Sequence, residues 1–252
     1  MSRGPHPEDS RLFGAEQLAV LRRAAEEVSW LLGRGYSIAT AIAAAGNHHQ
    51  LAQRQRVALA RGCASDAARE ARLARLRACA DARDQRLSID GFNLLISLEV
   101  ALSAGVLVRG RDTVLRDLAG LRGSYRTIEE SARAIDLVGA QLSAHAPAHL
   151  EWLLDRAVSN AGRLKTLIRE RARSWPFTVE VTLVPDPDPL LSARDWVVSG
   201  DAVVLDRCGL WINLASEIVA AHAPSAWIID LSAAPTGVVF TIPQGPRTDP
   251  TS

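Results

Sequence analysis

Aspartates recur at places where a β-like apolar run gives out. Asp90 follows Leu87-Ser88-Ile89, Asp155 follows Trp152-Leu153-Leu154, and Asp201 follows Trp196-Val197-Val198-Ser199-Gly200. Asp186 and Asp188 lie just past Phe177–Val184, the clearest β segment of the chain. In an α/β sheet with right-handed crossovers, such strand ends share one edge, and open sheets bind ligands there. Carboxylates gathered at one edge repel one another unless a cation neutralises them. Hard oxygen ligands from several strand ends suit Mg²⁺ or Mn²⁺. Two such ions ~4 Å apart can activate a water and stabilise the departing oxygen in phosphodiester cleavage. Any one strand-end aspartate is more often a helix cap or turn former, and Pro185-Asp186-Pro187-Asp188-Pro189 is turn-forming in its own right. Repetition is what argues for a cation. Asp206 lies little more than one helical turn beyond Asp201.

The elements that must position these groups read as follows. Leu87-Ser88-Ile89-Asp90-Gly91-Phe92-Asn93-Leu94-Leu95 predicts a buried parallel strand that delivers Asp90 and turns straight into a helix. Gly91 would give the turn conformational freedom. Asn93 could bond to Asp90 or cap the helix, although Asp-Gly is also ordinary turn chemistry. Gly105–Val108 forms another short apolar run, leading into Arg109-Gly110-Arg111-Asp112. The segment from Arg116 to Arg126 then mixes glycines, a hydroxyl and Tyr125 with Arg116, Arg122 and Arg126. Such a loop can cradle phosphates and stack a base, and it can equally be a long polar connection. Helical spacing returns at Thr127–His145. After Asp155, Val158-Ser159-Asn160-Ala161-Gly162-Arg163 opens a helix whose start, with Ser159, Asn160 and Arg163, suits an anion. Leu210–Leu214 predicts a strand, Glu217–Ala221 a short helix, and Trp227–Leu231 with Val238–Ile242 an added edge pair.

Ahead of this lies a different region. Residues 1–12 read as a loose tail. Helices over Phe13–Leu32, Ile38–Ala45 and Leu51–Arg61, punctuated by Gly33-Arg34-Gly35, Gly46-Asn47 and Gly62, make a small bundle over 13–63. Its last two helices could form a helix-turn-helix with Gln53, Arg54 and Arg56 towards a groove, although packing alone accounts for the pattern. His48 and His49, in the turn after Gly46, could ligate metal but are read as polar surface. Ala64–Arg86 predicts one charged connecting helix, placing the boundary near Arg86, with the α/β domain over 87–242 and a tail over 243–252.

Composition bounds the class. The 252 residues are 48% hydrophobic and 23% charged, which is globular. No apolar run approaches the ~20 residues of a membrane span, and the polar N-terminus shows no secretory signal, so neither a membrane nor an exported setting is expected. The three cysteines lack metal-finger spacing and suit a reducing cytoplasm. A net charge of +1 excludes a polybasic protein, yet Leu51–Arg86 holds nine arginines against four acids. That excess fits phosphate recognition or simply a solvated helix face.

Ile89-Asp90-Gly91-Phe92-Asn93-Leu94 resembles the opening motif of PIN/NYN-like nuclease domains, and Val197–Leu205 with Gly209-Leu210-Trp211-Ile212 resembles their late strand and turn. The whole chain is also similar to an uncharacterised prokaryotic two-part family. That family joins a helical domain with Arg-Gly-Tyr (Arg34–Tyr36) to a PIN-like domain with Val-Ser-Asn-x-Gly-Arg (Val158–Arg163). The resemblance implies a PIN-like, open, mainly parallel sheet flanked by helices, preceded by a small all-α domain. It implies Asp90, Asp155 and Asp201 as catalytic metal ligands, with Asp188 or Asp206 completing the set and Asn93 orienting Asp90. The acid that such enzymes place after the first strand could be Glu99, Asp112 or Glu129. The implied activity is a Mg²⁺- or Mn²⁺-dependent nuclease with RNA favoured over DNA. The competing reading is a catalytically inactive nucleic-acid-binding or regulatory module. A Toprim-like site built on Asp186 and Asp188 ranks last, because it wants a glutamate where Asp90 stands. A homo-oligomeric assembly is compatible with either.

Overall fold

The computed structural model describes residues 3–119 and 125–232. The chain begins with four helices, α1 (Asp9–Leu12), α2 (Ala15–Gly33), α3 (Ile38–His48) and α4 (Gln53–Gly62), followed by α5 (Asp66–Arg75). Next come β1 (Leu76–Arg77), β2 (Arg86–Asp90), α6 (Gly91–Leu102), β3 (Val106–Arg109), β4 (Leu115–Asp117) and α7 (Glu129–Ser143). The remainder is β5 (His149–Asp155), α8 (Ala161–Arg171), β6 (Thr178–Val184), α9 (Pro187–Ser192), β7 (Val197–Val198), α10 (Ala202–Arg207), β8 (Trp211–Ile212), α11 (Leu214–His222) and β9 (Trp227–Asp230).

Six strands form one sheet in the order β1-β8-β7-β2-β5-β6, with every pairing parallel. Side-chain alternation distributes each strand between two apolar layers. Leu87, Ile89, Trp152, Leu154, Val198 and Ile212 pack with α6, α7, α8 and α11 on one face. Leu153, Val197 and Trp211 pack with Leu191 of α9 and with Val204 and Leu205 of α10 on the other. Burial on both faces explains why these strands read as continuous apolar runs. From β2 the chain moves outward to β5 and β6, then returns to the opposite side of β2 to add β7 and β8. The strand order therefore reverses between β2 and β7, and crevices of open α/β sheets form at such reversals.

A second sheet, β4-β3-β9, joins the helical region to the main sheet, with β3 antiparallel to β4 and parallel to β9. Val106, Val108, Leu118, Ile229 and Leu231 share a core with Leu21, Val28, Ala41 and Leu59 of the bundle. The bundle helices lie where the 3.6-residue period placed them, and Ser37 caps α3 by accepting from the Thr40 amide at 3.1 Å.

Several expectations change. The stretch before α2 is docked, not loose: Asp9 is fully buried against the Arg54 guanidinium, and Arg3 Nε donates to Glu99 at 2.7 Å. Arg54 is thereby used within the bundle. Arg56 likewise donates to the Leu51 carbonyl and Asn47, so these arginines do not face a groove. The connecting helix ends at Arg75, because the chain must straighten there to add β1 to the edge of the sheet beside β8. Arg116 and Asp117, read as the start of a polar loop, instead end β4. Trp227–Asp230 pairs with β3, whereas the companion segment Val238–Ile242 lies outside the described residues.

Candidate functional site

The C-terminal edge of the main sheet carries a cleft of about 320 Å³. Asp90, Asp155, Asp188 and Asp201 all line it, with Asn93 and Phe92 from the first turn of α6. Asp90, Asp155 and Asp201 are each fixed by the turn that ends their strand, and Asp188 follows the Asp186 cap of α9. Asp90 closes β2 and caps α6, its Oδ1 accepting from the Asn93 amide at 3.4 Å. Its Oδ2 accepts from Ser199 Oγ at 2.8 Å, which ties the end of β2 to the segment after β7. Asp155 Oδ1 accepts from the Ala157 amide at 2.7 Å. Asp201 caps α10 through Oδ1, which accepts from the amides of Val203 and Val204 at 2.7 and 3.2 Å. One oxygen of Asp90, of Asp155 and of Asp201 thus holds backbone. Oδ2 of Asp155 and Oδ2 of Asp201 have no hydrogen-bond partner among the described residues.

Two glycines allow this convergence by close approach. A Cβ at Gly200 would lie 2.9 Å from Asn93 Oδ1, the atom that accepts from the Gly200 amide at 2.7 Å. A Cβ at Gly91 would meet Leu154 Cδ2 at 2.4 Å. Gly91 is not in the left-handed region, so the lack of a side chain against β5, and not backbone freedom, is what its position requires. Asn93 acts accordingly: its amide helps hold Asp90, while its side chain anchors the Gly200 turn that presents Asp201.

Reasoning from the sequence overlooked two members of the cleft. Asp117, the last residue of β4, lines it and is buried, with Oδ1 lacking a hydrogen-bond partner among the described residues. Its signal was present: Thr113-Val114-Leu115-Arg116-Asp117 repeats the short apolar run closed by an aspartate, hidden in an arginine-rich stretch. Arg61, near the end of α4, also lines the cleft and so brings one residue of the helical bundle to the sheet edge. Nothing in the local pattern of α4 marks it.

The electrostatics follow from five aspartates facing one arginine among the lining residues. Burial pushes the Asp90 carboxyl up to about 7, and the nearby Asp188 and Asp201 charges add to the rise against the Ser199 and Asn93 hydrogen bonds. Asp188 is raised by burial and by Asp201, Asp186 and Asp155. Asp117 is raised by burial, with Arg61 and Arg3 opposing. Each rise is a cost of holding negative charge there, which a bound cation would relieve. The oxygens do not form a closed cage. Among the described residues, only Glu27, His48 and His49 bring three potential ligand atoms within 4.8 Å of one another. A cleft of separated carboxylates suits a cation that keeps several waters and takes only one or two carboxylates, as Mg²⁺ does.

The remaining predicted residues lie elsewhere. Asp206 accepts from Arg72 Nε at 2.7 Å and does not line the cleft, because the turn of α10 points it towards α5. Asp186 caps α9, accepting from the Asp188 amide at 3.0 Å. Glu99 is fully buried inside α6, bonded to Arg3, Tyr125 and Ser131. Asp112 is buried between Arg116 and Arg72, and Glu129 is exposed at the start of α7. Arg116 is itself buried; besides Asp112 it donates to the Gly200 carbonyl at 2.6 Å, supporting the Asp201 turn from behind. Arg111 pairs with Asp66 at 3.0 Å. Ser159 Oγ accepts from the Tyr125 amide at 3.3 Å and Asn160 Nδ2 donates to the Tyr125 carbonyl at 2.7 Å, so both brace the segment before α7. Arg126 and Arg163 are exposed, and Arg122 lies outside the described residues.

These features define a class: an α/β protein with a mainly parallel six-stranded sheet flanked by helices, an acidic cleft at its C-terminal edge, and a helical bundle in front. The chain belongs to the family described as "Domain of unknown function (DUF5616)", which matches residues 79–217. Residues 20–75 match a second family, described as "Protein of unknown function (DUF434)", so the two matches meet just past α5. The chain is 30% identical over 185 residues to "Uncharacterized protein MJ0935" of Methanocaldococcus jannaschii, covering 73% of this chain and 88% of that protein. No solved structure matches the chain. No helix among the described residues is long and apolar enough to cross a membrane.

Proposed function

We propose that the chain is a divalent-metal-dependent nuclease of PIN-like type, cytoplasmic and acting on RNA. The observation that carries this reading is the meeting of Asp90, Asp155, Asp188 and Asp201, distant in sequence, in one cleft at the strand-order reversal. The buried Asp117, with one oxygen unpartnered among the described residues, adds a fifth carboxylate. These residues would hold Mg²⁺ or Mn²⁺, which supplies charge neutralisation and Lewis acidity at a phosphodiester when bound. Ser199 fixes the Asp90 carboxylate, and Asn93 with Arg116 fixes the Gly200 turn that presents Asp201. Arg61, which lines the cleft, would hold a phosphate of the strand, and the exposed Arg126 and Arg163 would offer further backbone contacts.

The test is cleavage of matched RNA and DNA oligonucleotides by the full chain in Mn²⁺. Loss of a Mn²⁺-dependent RNA product in Asp90→Asn and in Asp201→Asn supports the proposal. Cleavage that survives both substitutions, or that needs no divalent ion, overturns it. One observation favours a second reading, a binding-only module on the same edge. Glu99, the acid on the helix after the first strand, is enclosed by Arg3, Tyr125 and Ser131 and cannot serve the cleft. That module would bind RNA with no cleavage by the wild-type chain.

A further inference from the structure

A second constellation sits on the helical bundle, away from the aspartate cleft. Glu27 on α2, His48 at the end of α3 and His49 immediately after it place one potential ligand atom each within 4.8 Å of one another. His49 Nε2 stands 3.0 Å from Glu27 Oε2, and the two imidazoles meet edge to face with centroids 4.7 Å apart. From this geometry we infer a transition-metal site, with Glu27, His48 and His49 as a His₂Glu ligand set for Zn²⁺.

The ligand chemistry separates this site from the cleft. Imidazole nitrogens suit zinc and related ions, whereas the all-carboxylate cleft suits Mg²⁺ or Mn²⁺. Zinc takes His nitrogens at about 2.0–2.1 Å and a carboxylate oxygen at about 2.0–2.2 Å, so the three atoms need only small side-chain rotations to close on one ion. The turn that carries both histidines is braced. Arg56 Nε donates to the Leu51 carbonyl at 2.9 Å, Arg56 Nη2 donates to Asn47 Oδ1 at 3.0 Å, and the Leu51 amide donates to the Gly46 carbonyl at 2.8 Å. A cation at the carboxyl end of α3 also meets the favourable end of its dipole. Glu27 and His48 are exposed, so a coordination position of an ion held there would stay open to water or to a ligand. The ion would clamp α2 to the α3–α4 turn.

The experiment uses the full-length chain without a polyhistidine tag, stripped by chelation and kept in saturating Mg²⁺ so that the cleft does not compete. Titration with Co²⁺ is expected to give the visible absorption of a low-coordinate cobalt site at one equivalent, displaced by Zn²⁺. Zn²⁺ should raise the unfolding midpoint. His48→Ala/His49→Ala should abolish both readouts, while Asp90→Asn/Asp201→Asn keeps them. Loss of an outer-shell partner alone weakens metal sites roughly 10–100-fold, so loss of the direct ligand in Glu27→Gln should exceed that range. The exposed Glu27 side chain makes this variant the safeguard if the histidine variant does not fold. A wild-type chain that takes up no Zn²⁺ or Co²⁺, or uptake unchanged in the histidine variant or in Glu27→Gln, overturns the site.

Discussion

Two groups of charged side chains flank the Gly200 turn, and they use aspartate in opposite ways. Behind the turn, Asp112 is buried with Arg116 across both its oxygens and Arg72 on one of them. Burial alone would raise its carboxyl; the two guanidiniums outweigh that and hold it below its ordinary range. In front of the turn, Asp90 is equally buried but faces Asp188 and Asp201, and its carboxyl rises to about 7. The residue type and the burial are alike. What differs is whether the protein supplies the counter-charge, and a carboxylate left without one at a cleft is the kind that can serve a ligand.

This contrast can be broken from either side. The largest effect is expected behind the turn, where Asp112→Ala leaves two buried arginines without their shared partner. Removing one member of a buried pair costs about 3–5 kcal/mol, and urea unfolding should show that loss. The next concerns pH. A group whose folded-state pKa is raised stabilises the native state at low pH, and that contribution is lost as pH rises through the folded value. For Asp90 the window runs from about 4 to about 7, and Asp188 and Asp117 shift in the same direction. Without divalent ions, stability should fall across this window by up to about 4 kcal/mol from Asp90, and saturating Mn²⁺ should flatten the fall. Calorimetry at several pH values checks both.

Smaller effects sharpen the comparison. Asp90→Asn keeps a cap-competent side chain while removing the repelled charge. In metal-free buffer at pH 8 it should stabilise the chain by on the order of 2 kcal/mol, opposite in sign to Asp112→Ala, and abolish stabilisation by Mn²⁺. Asn93→Ala removes the acceptor for the Gly200 amide. It should cost about 1 kcal/mol and weaken the response to Mn²⁺ without eliminating it, because Asp90 and Asp201 keep their charges.

The strand ends were legible because a parallel strand buried on both faces must be an apolar run, and the run stops where the chain reaches the edge. That is how Asp90, Asp155 and Asp201 stand out. Asp206 fails the same logic because it belongs to α10, and a helix turns its side chain away from the strand end that precedes it. Arg116 and Asp112 were legible only as charges. Whether an arginine in a short connection faces solvent or a buried carboxylate depends on β3 and β4 pairing back on themselves, which no local pattern states. His48 is exposed, as its turn position suggests, and what no local pattern states is that His49 beside it meets Glu27 of another helix.

Local periodicity and turn chemistry were enough to locate the bundle helices, the central strands β2 and β5 and the aspartates at their ends, but not β1, β4 or the end of α5. Tertiary structure alone decided which acids are neutralised by arginine and which stand together without a counter-charge. It also brought Asp117 and Arg61 to the cleft from the second sheet and the bundle. Charge interactions act through space, between groups whose separation is set only when the sheet order and the packing of the two regions are in place.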